Sequence, residues 1–305
     1  MTAIDVIGSL GLYEGAVTTN EPLSKHTTFR IGGPAEVFVR PQTNKELLSI
    51  CKACKTNGIM LTIIGGGANV LVPDEGIPGV VLATTGLTRI EVCKDEKEIA
   101  AGAGVNLAAL AKAAMNAGLS GLEFLSGIPG TVGGAVYMNA GAFGHDMGEV
   151  IKVALILMDG EILWMTNEDM IFGYRKSFIE THGGILMEAV FKLKPGNPGI
   201  IQKEMQELNR RRKETQPLEH PSAGSAFKRP EGFYAGKLIE EAGLKGFTIG
   251  GAQVSEKHAG FIVNRGGATA EDVISLIKEI RRRVHEASGV WLQPEIQLLG
   301  SLSID

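Results

Sequence analysis

The sequence predicts an α+β fold in three consecutive units, and three observations carry that expectation. Short apolar runs that read as strands alternate with longer segments of helical period. Glycine is abundant, at 41 of 305 residues, with no collagen-like period to explain it. The stretch Lys194-Pro195-Gly196-Asn197-Pro198-Gly199 is the clearest boundary in the chain.

The first unit, residues 1–82, opens its regular structure with a strand at 35–39. A helix follows at 44–57 and ends at Gly58, a residue suited to a helix stop. The apolar run Leu61-Thr62-Ile63-Ile64 is a buried strand that enters the turn Gly65-Gly66-Gly67, and Val80-Val81-Leu82 forms a further short strand. The second unit, 83–196, begins with strands at 89–92 and 98–101. An alanine-rich helix at 107–117 stops at Gly118. A long glycine-rich run follows, and then a hairpin joins strands 153–158 and 162–165 through Asp159-Gly160-Glu161. A strand at 185–193 closes this unit. The third unit, 197–305, holds a polar helix at 200–214, a loop with Gly224 and Pro230, and a helix at 270–288 capped by Thr269. It closes on Ile296-Gln297-Leu298-Leu299.

Hydrophobic residues make up 44% of the chain, enough for a sizeable core. The net charge of −4 argues against general nucleic-acid binding, which leaves a basic footprint. No apolar run approaches the ~20 residues of a membrane span, and residues 1–15 lack the charged start of a secretion signal. These features predict a cytoplasmic protein. Cys51 and Cys54 form a C-x-x-C, but no second pair completes a zinc site, and the pair falls inside a helical pattern. They read as helix residues one turn apart. His145 and His258 stand alone without ligand spacing, so no metal is expected.

Two glycine-rich runs carry the chemical signal. One is Gly65-Gly66-Gly67-Ala68-Asn69-Val70 after a strand. The other is Ser126-Gly127-Ile128-Pro129-Gly130-Thr131-Val132-Gly133-Gly134, continued by Asn139-Ala140-Gly141. Without Cβ atoms the backbone can approach a ligand closely, and successive N–H groups in such a turn suit a diphosphate. Together they suggest a large, phosphate-bearing cofactor. Neither run matches the dinucleotide fingerprint, and Pro73 argues against a helix directly after the first, so a Rossmann site is not expected.

The pattern resembles the FAD-binding domain of vanillyl-alcohol-oxidase-type flavoproteins, and within them the UDP-N-acetylenolpyruvoylglucosamine reductase family. The resemblance rests on His26-Thr27-Thr28-Phe29-Arg30-Ile31-Gly32-Gly33-Pro34-Ala35, both glycine runs and Gly173-Tyr174-Arg175-Lys176-Ser177. It extends through Pro221-Ser222-Ala223-Gly224-Ser225-Ala226-Phe227-Lys228 and Pro294-Glu295-Ile296. Ala68 departs from it, since a serine is frequent there; one possible hydroxyl bond to a phosphate is lost, and the backbone donors remain.

The resemblance implies a two-part FAD-binding domain followed by a C-terminal α/β substrate domain. It implies non-covalent FAD on the two runs, NADPH as reductant and a UDP-sugar substrate. The reaction would reduce the enolpyruvyl ether of UDP-N-acetylglucosamine to the lactyl ether of UDP-N-acetylmuramate, for peptidoglycan precursors. Arg175, Ser225 and Glu295 would be catalytic. Taken alone, each has an ordinary reading: a surface arginine, a loop serine and a solvated glutamate. Glu295, however, sits among Trp291, Leu292, Ile296 and Leu298, which points to partial burial. No Gly-x-Ser-x-Gly elbow surrounds Ser225, which argues against a hydrolase nucleophile; the resemblance implies that its hydroxyl delivers a proton as a general acid. Arg210-Arg211-Arg212-Lys213 reads either as dipole compensation at a helix end or as a diphosphate site. On the second reading Lys213 and Lys228 bind substrate, with Tyr174 beside Arg175.

Two other functions compete. An FAD-dependent sugar or alcohol oxidase of the same superfamily would often attach its flavin through histidine or cysteine, and neither run contains one. A nucleotide-sugar-binding protein without catalysis would not need Arg175, Ser225 and Glu295 together in matching motifs.

Overall fold

A computed structural model describes residues 2–304. Its contacts divide the chain into two compact units. The first comprises the residues up to Thr18 with Phe38–Gly66 and Val80–Arg212; the second comprises Thr19–Val37, Gly67–Gly79 and the residues from Lys213 onward. Lys194–Pro195, expected at a boundary, instead pairs antiparallel with Leu119–Ser120 inside the first unit. The chain leaves that unit within the helix Pro198–Thr215.

In the first unit the helix Asn44–Thr56 starts at Thr43, whose side chain accepts from the Glu46 N–H. It buries Leu47, Ile50 and Cys54 on one face. The strand Leu61–Ile64 runs parallel to Ile77–Ala83, from Leu61 opposite Val80 to Ile64 opposite Ala83. This second strand is longer than the apolar triplet 80–82 suggests, because pairing extends it beyond its own hydrophobic signal.

A five-stranded antiparallel sheet completes the unit, in the order Glu161–Thr166, Ile151–Met158, Ile185–Lys192, Glu98–Gly102, Ile90–Cys93. Met158 lies opposite Glu161, so the hairpin loop is Asp159-Gly160. Both residues have positive φ, as a tight hairpin turn demands. The helix Leu107–Ala117 is capped by Asn106 and stops at left-handed Gly118.

The second unit folds around a four-stranded sheet of Ser222–Ser225, Phe261–Asn264, Ala252–Val254 and Thr248–Ile249. The long helix Ala270–Ser288 packs on it and carries a full capping box between Thr269 and Asp272. Its buried stripe Val273, Ile277, Ile280, Val284 follows the helical period. That stripe joins Phe29, Ile31, Leu71, Phe227 and Ile296 in one apolar core. Val70–Leu71 pairs in parallel with Gln297–Leu298, so a strand and not a helix follows the first glycine run. The chain therefore shows an α+β architecture with a sheet-and-helix C-terminal part.

Candidate active site

The first unit brings the two glycine runs together. A Cβ on Gly65 would lie 2.9 Å from Thr131 Oγ1 and 3.6 Å from the Gly134 nitrogen. A Cβ on Gly66 would lie 3.0 Å from Gly130 Cα. Side chains at these positions would fill the space between the runs, so the glycines are steric requirements of the cradle. Gly67 answers a different demand, within the second unit. It has φ +61 and its missing Cβ would collide with the His26 carbonyl and Thr27. Thr28 N–H in turn donates to the Gly67 carbonyl at 3.0 Å.

The second run contains a short helix, Val132–Tyr137, that its glycines conceal from sequence reasoning. Its start is tied down from outside. Val132 N–H donates to the Val105 carbonyl and Gly133 N–H to the Ala103 carbonyl, at 2.9 and 2.8 Å. Thr131 stands at the cap position but makes no side-chain cap bond. Its Oγ1 is buried and, among the described residues, without a hydrogen-bond partner. A buried hydroxyl of this kind calls for a partner. Facing Gly65, which has no side chain, it suits the phosphate-bearing part of a dinucleotide such as FAD.

Asn139 and Arg175 belong to the same unit. Asn139 is buried, with φ +42. Its Nδ2 donates to the Gly173 carbonyl at 2.8 Å and to Asp146 Oδ2 at 3.2 Å, and its Oδ1 accepts from the Gly148 N–H at 2.9 Å. Those bonds pin the loop that carries Arg175. Arg175 itself has φ +52, a conformation rare outside glycine. Its guanidinium reaches the Asn139 and Gly141 carbonyls at 3.4 and 3.3 Å, contacts at the long end of the range. It also lies 5.3 Å from the ring centre of Tyr174, a mostly exposed residue.

Ser225 and Glu295 belong to the second unit, and its backbone brings them side by side. Glu295 N–H donates to the Ala226 carbonyl at 2.9 Å, Phe227 bridges to Pro294, and Lys228 N–H donates to the Gln293 carbonyl at 2.8 Å. Ser225 ends a strand opposite Phe261, after Gly224 at φ +76 and a register shift that interrupts the ladder. Glu295 is buried, at 9% exposed, more deeply than its sequence neighbours suggest. Its carbonyl accepts from Asn69 Nδ2 at 3.0 Å, so Asn69 of the first run anchors the glutamate's backbone. Ala68 and Val70 flank that anchor, and Val70 is opposite Gln297 in the parallel pair.

The remaining candidates separate. Lys213 is exposed, and its carbonyl accepts from Lys257 Nζ at 2.6 Å. Arg210 and Arg211 both bind Glu207, at 2.8 and 2.7 Å, and hold that carboxyl down to about 2. Cys51 and Cys54 are free thiols in a helix. His258 accepts from the Gly260 N–H at 3.1 Å, and burial pulls its pKa down. Next to the second run lie Asn209, which escaped sequence reasoning, and Arg212, which the sequence offered only as one of a basic cluster. They pack against Gly127, and no local pattern distinguishes them from their charged neighbours.

Residues 35–166 match the FAD binding domain model, and residues 216–299 match the C-terminal domain of UDP-N-acetylenolpyruvoylglucosamine reductase. Curated reductases of that name are close in sequence over almost their whole length. One from Lachnoclostridium phytofermentans is 49% identical over 93% of both chains. One from Bacillus licheniformis is 48% identical over 94% of this chain and 95% of its own. The chain belongs to the UDP-N-acetylenolpyruvoylglucosamine reductase family. The solved reductase of Thermus caldophilus superposes with a TM-score of 0.78 at 38% identity, over 93% of this chain and 98% of that one. An alkyldihydroxyacetonephosphate synthase, 15% identical with a TM-score of 0.50 over 63% of this chain, shares the fold alone. As a reductase of this family the chain is an FAD-dependent oxidoreductase. Among the described residues no helix is long and apolar enough to cross a membrane.

Proposed function

We propose that this chain reduces the enolpyruvyl ether of UDP-N-acetylglucosamine to UDP-N-acetylmuramate, with Arg175, Ser225 and Glu295 as its catalytic residues. The observation that carries the assignment is the pairing of the Ser225 loop with buried Glu295 through the Glu295–Ala226 backbone bond of 2.9 Å. That bond ties the backbone of Glu295 to the residue after Ser225, from a distant part of the sequence, and supports the reading that their hydroxyl and carboxyl groups share in proton delivery.

Gly65, Gly66, Gly130, Thr131 and Gly134 would hold the FAD, with the Thr131 hydroxyl donating to it. When bound, FAD reduced by NADPH supplies a hydride to the terminal vinyl carbon of the substrate. The protein's own groups manage the charge that follows. The Arg175 guanidinium stabilises negative charge on the substrate carboxylate, as a fixed fork of donors does well. The Ser225 hydroxyl gives its proton to the carbon next to that carboxylate. Glu295 supports the enolate-like state as a hydrogen-bonding acid in its protonated form. Tyr174, Lys213 and Lys228 bind the UDP-sugar, the lysines at its diphosphate. The enzyme works in the cytoplasm on peptidoglycan precursors.

The FAD is held without a covalent bond, a reading supported by runs that contain neither histidine nor cysteine. Acid precipitation of the purified yellow protein should release all of its flavin. Anaerobic NADPH should bleach the visible band, and the enolpyruvyl ether should restore it with formation of the lactyl ether. Restoration by oxygen alone, together with oxidation of a sugar or alcohol, would instead support an oxidase.

A further inference from the structure

Arg210, Arg211 and Arg212 follow one another on the last turns of the helix Pro198–Thr215. The first two are tied to Glu207 on the helix itself. Arg212 packs elsewhere. A Cβ on Gly127 would lie 3.1 Å from Arg212 Cδ and 3.2 Å from its Nε, and it would collide with Asn209 Oδ1. Ser126 Oγ and Asn209 Oδ1 are 3.5 Å apart. The Arg212 guanidinium carbon also stands 6.0 Å from the centre of the Phe143 ring.

Gly127 lies at the entry of the second glycine run and Phe143 just beyond its exit. One side chain therefore touches both ends. Between them are the Asn139 and Gly141 carbonyls that Arg175 approaches. A glycine-rich run has little side-chain packing of its own to order it, and ordering it on ligand binding costs affinity. A planar guanidinium can lie against a glycine face and over a ring at the same time, which an ammonium cannot.

We propose that Arg212, assisted by Asn209, is a positioning residue for the flavin: it fixes the two ends of the second glycine run and so preorganises the loop that receives the cofactor. The proposal rests on the flavin reading above. Its effect falls on FAD affinity and on the environment of the bound flavin.

The test is titration of apoprotein with FAD, followed by flavin fluorescence and visible absorption, with melting curves of the apoprotein in parallel. Arg212→Met should raise the FAD Kd about 10- to 100-fold, the scale of a lost charged contact, while the apoprotein melts close to the wild type. Arg212→Lys keeps the charge and loses the fork, so it should fall between the two. Gly127→Ala drives Asn209 and Arg212 off the run from the other side and should weaken FAD similarly. The double variant should then be no weaker than the worse single one, because both break the same contact. Wild-type affinity in Arg212→Met, or penalties that multiply in the double variant, would overturn the proposal. If Arg212→Met does not fold, Arg212→Lys and Gly127→Ala carry the same comparison. Wild-type protein that binds no FAD sinks the flavin reading and this inference together; wild-type binding with unaffected variants sinks this inference alone.

Discussion

Gly66 and Gly130, one from each glycine run, meet so closely that a Cβ on Gly66 would stand 3.0 Å from the Gly130 Cα. The obstacle is backbone, which cannot swing aside as the end of a long side chain can. The nearest relief is to part the two runs.

Gly66→Leu should therefore lose FAD. Gly66 is half-buried in a turn and not in the apolar core, so much of the fold should survive. Flavin-to-protein absorbance ratios and far-UV circular dichroism of the purified variant check this. A variant that retains a full complement of flavin would show that the close approach serves only the turn.

Ser225→Ala tests the chemistry rather than the cradle. Ser225 would act only once the hydride has been supplied, so reduction by NADPH should stay nearly unchanged. Reoxidation by the enolpyruvyl ether should slow by ~10²–10⁴-fold, the usual value of general acid catalysis. Ser225→Cys should retain more activity than alanine, since a thiol also carries a proton. Stopped-flow measurement of the two half-reactions distinguishes these outcomes, and equal slowing of both would assign Ser225 a structural part.

Glu98 predicts an acid-side loss of stability. Its Oε1 accepts from Lys152 Nζ and Lys192 Nζ, both at 2.8 Å. Those bonds, Lys152 first, hold its pKa below the ordinary 4.5. A carboxylate whose pKa falls on folding stabilises fully above its unfolded value and loses that contribution as pH drops through the folded one. Melting temperatures should decline as pH is lowered below about 4.5, and Glu98→Gln should flatten that decline while lowering stability at neutral pH. A decline just as steep in the variant would assign the acid transition to other carboxylates.

The cysteines should react in a set order. Burial, with a smaller contribution from Cys54, pushes the Cys51 thiol up to about 12, while Cys93 is exposed. Because the thiolate is the nucleophile, iodoacetamide at pH 8 should label Cys93 well before Cys51 in the folded protein. Folding raises the Cys51 pKa from 9.0, so the linked stability is complete below pH 9 and is lost as pH rises towards 12. Peptide mass mapping of a labelling time course checks the order, and equal rates would mean that the Asn44–Thr56 helix opens readily.

The amino-acid sequence by itself determined the elements whose causes are local. The caps Thr43, Asn106 and Thr269, the stop at Gly118 and the Asp159-Gly160 turn are where the residue types require them, because each acts through its own or nearby backbone. The two glycine runs also stand out by residue type alone. Only the tertiary structure decided what long-range contacts create. The helix Val132–Tyr137 has poor intrinsic propensity and forms because residues 103–105 accept its first N–H groups. Ser222–Ser225 becomes a strand by pairing with Phe261–Asn264 and not through any apolar alternation. The burial of Glu295 beside Ala226, the isolation of Thr131 Oγ1 and the choice of Arg212 over its two neighbours to meet Gly127 follow from the same cause. Each depends on which distant backbone arrives opposite, and no local spacing encodes that.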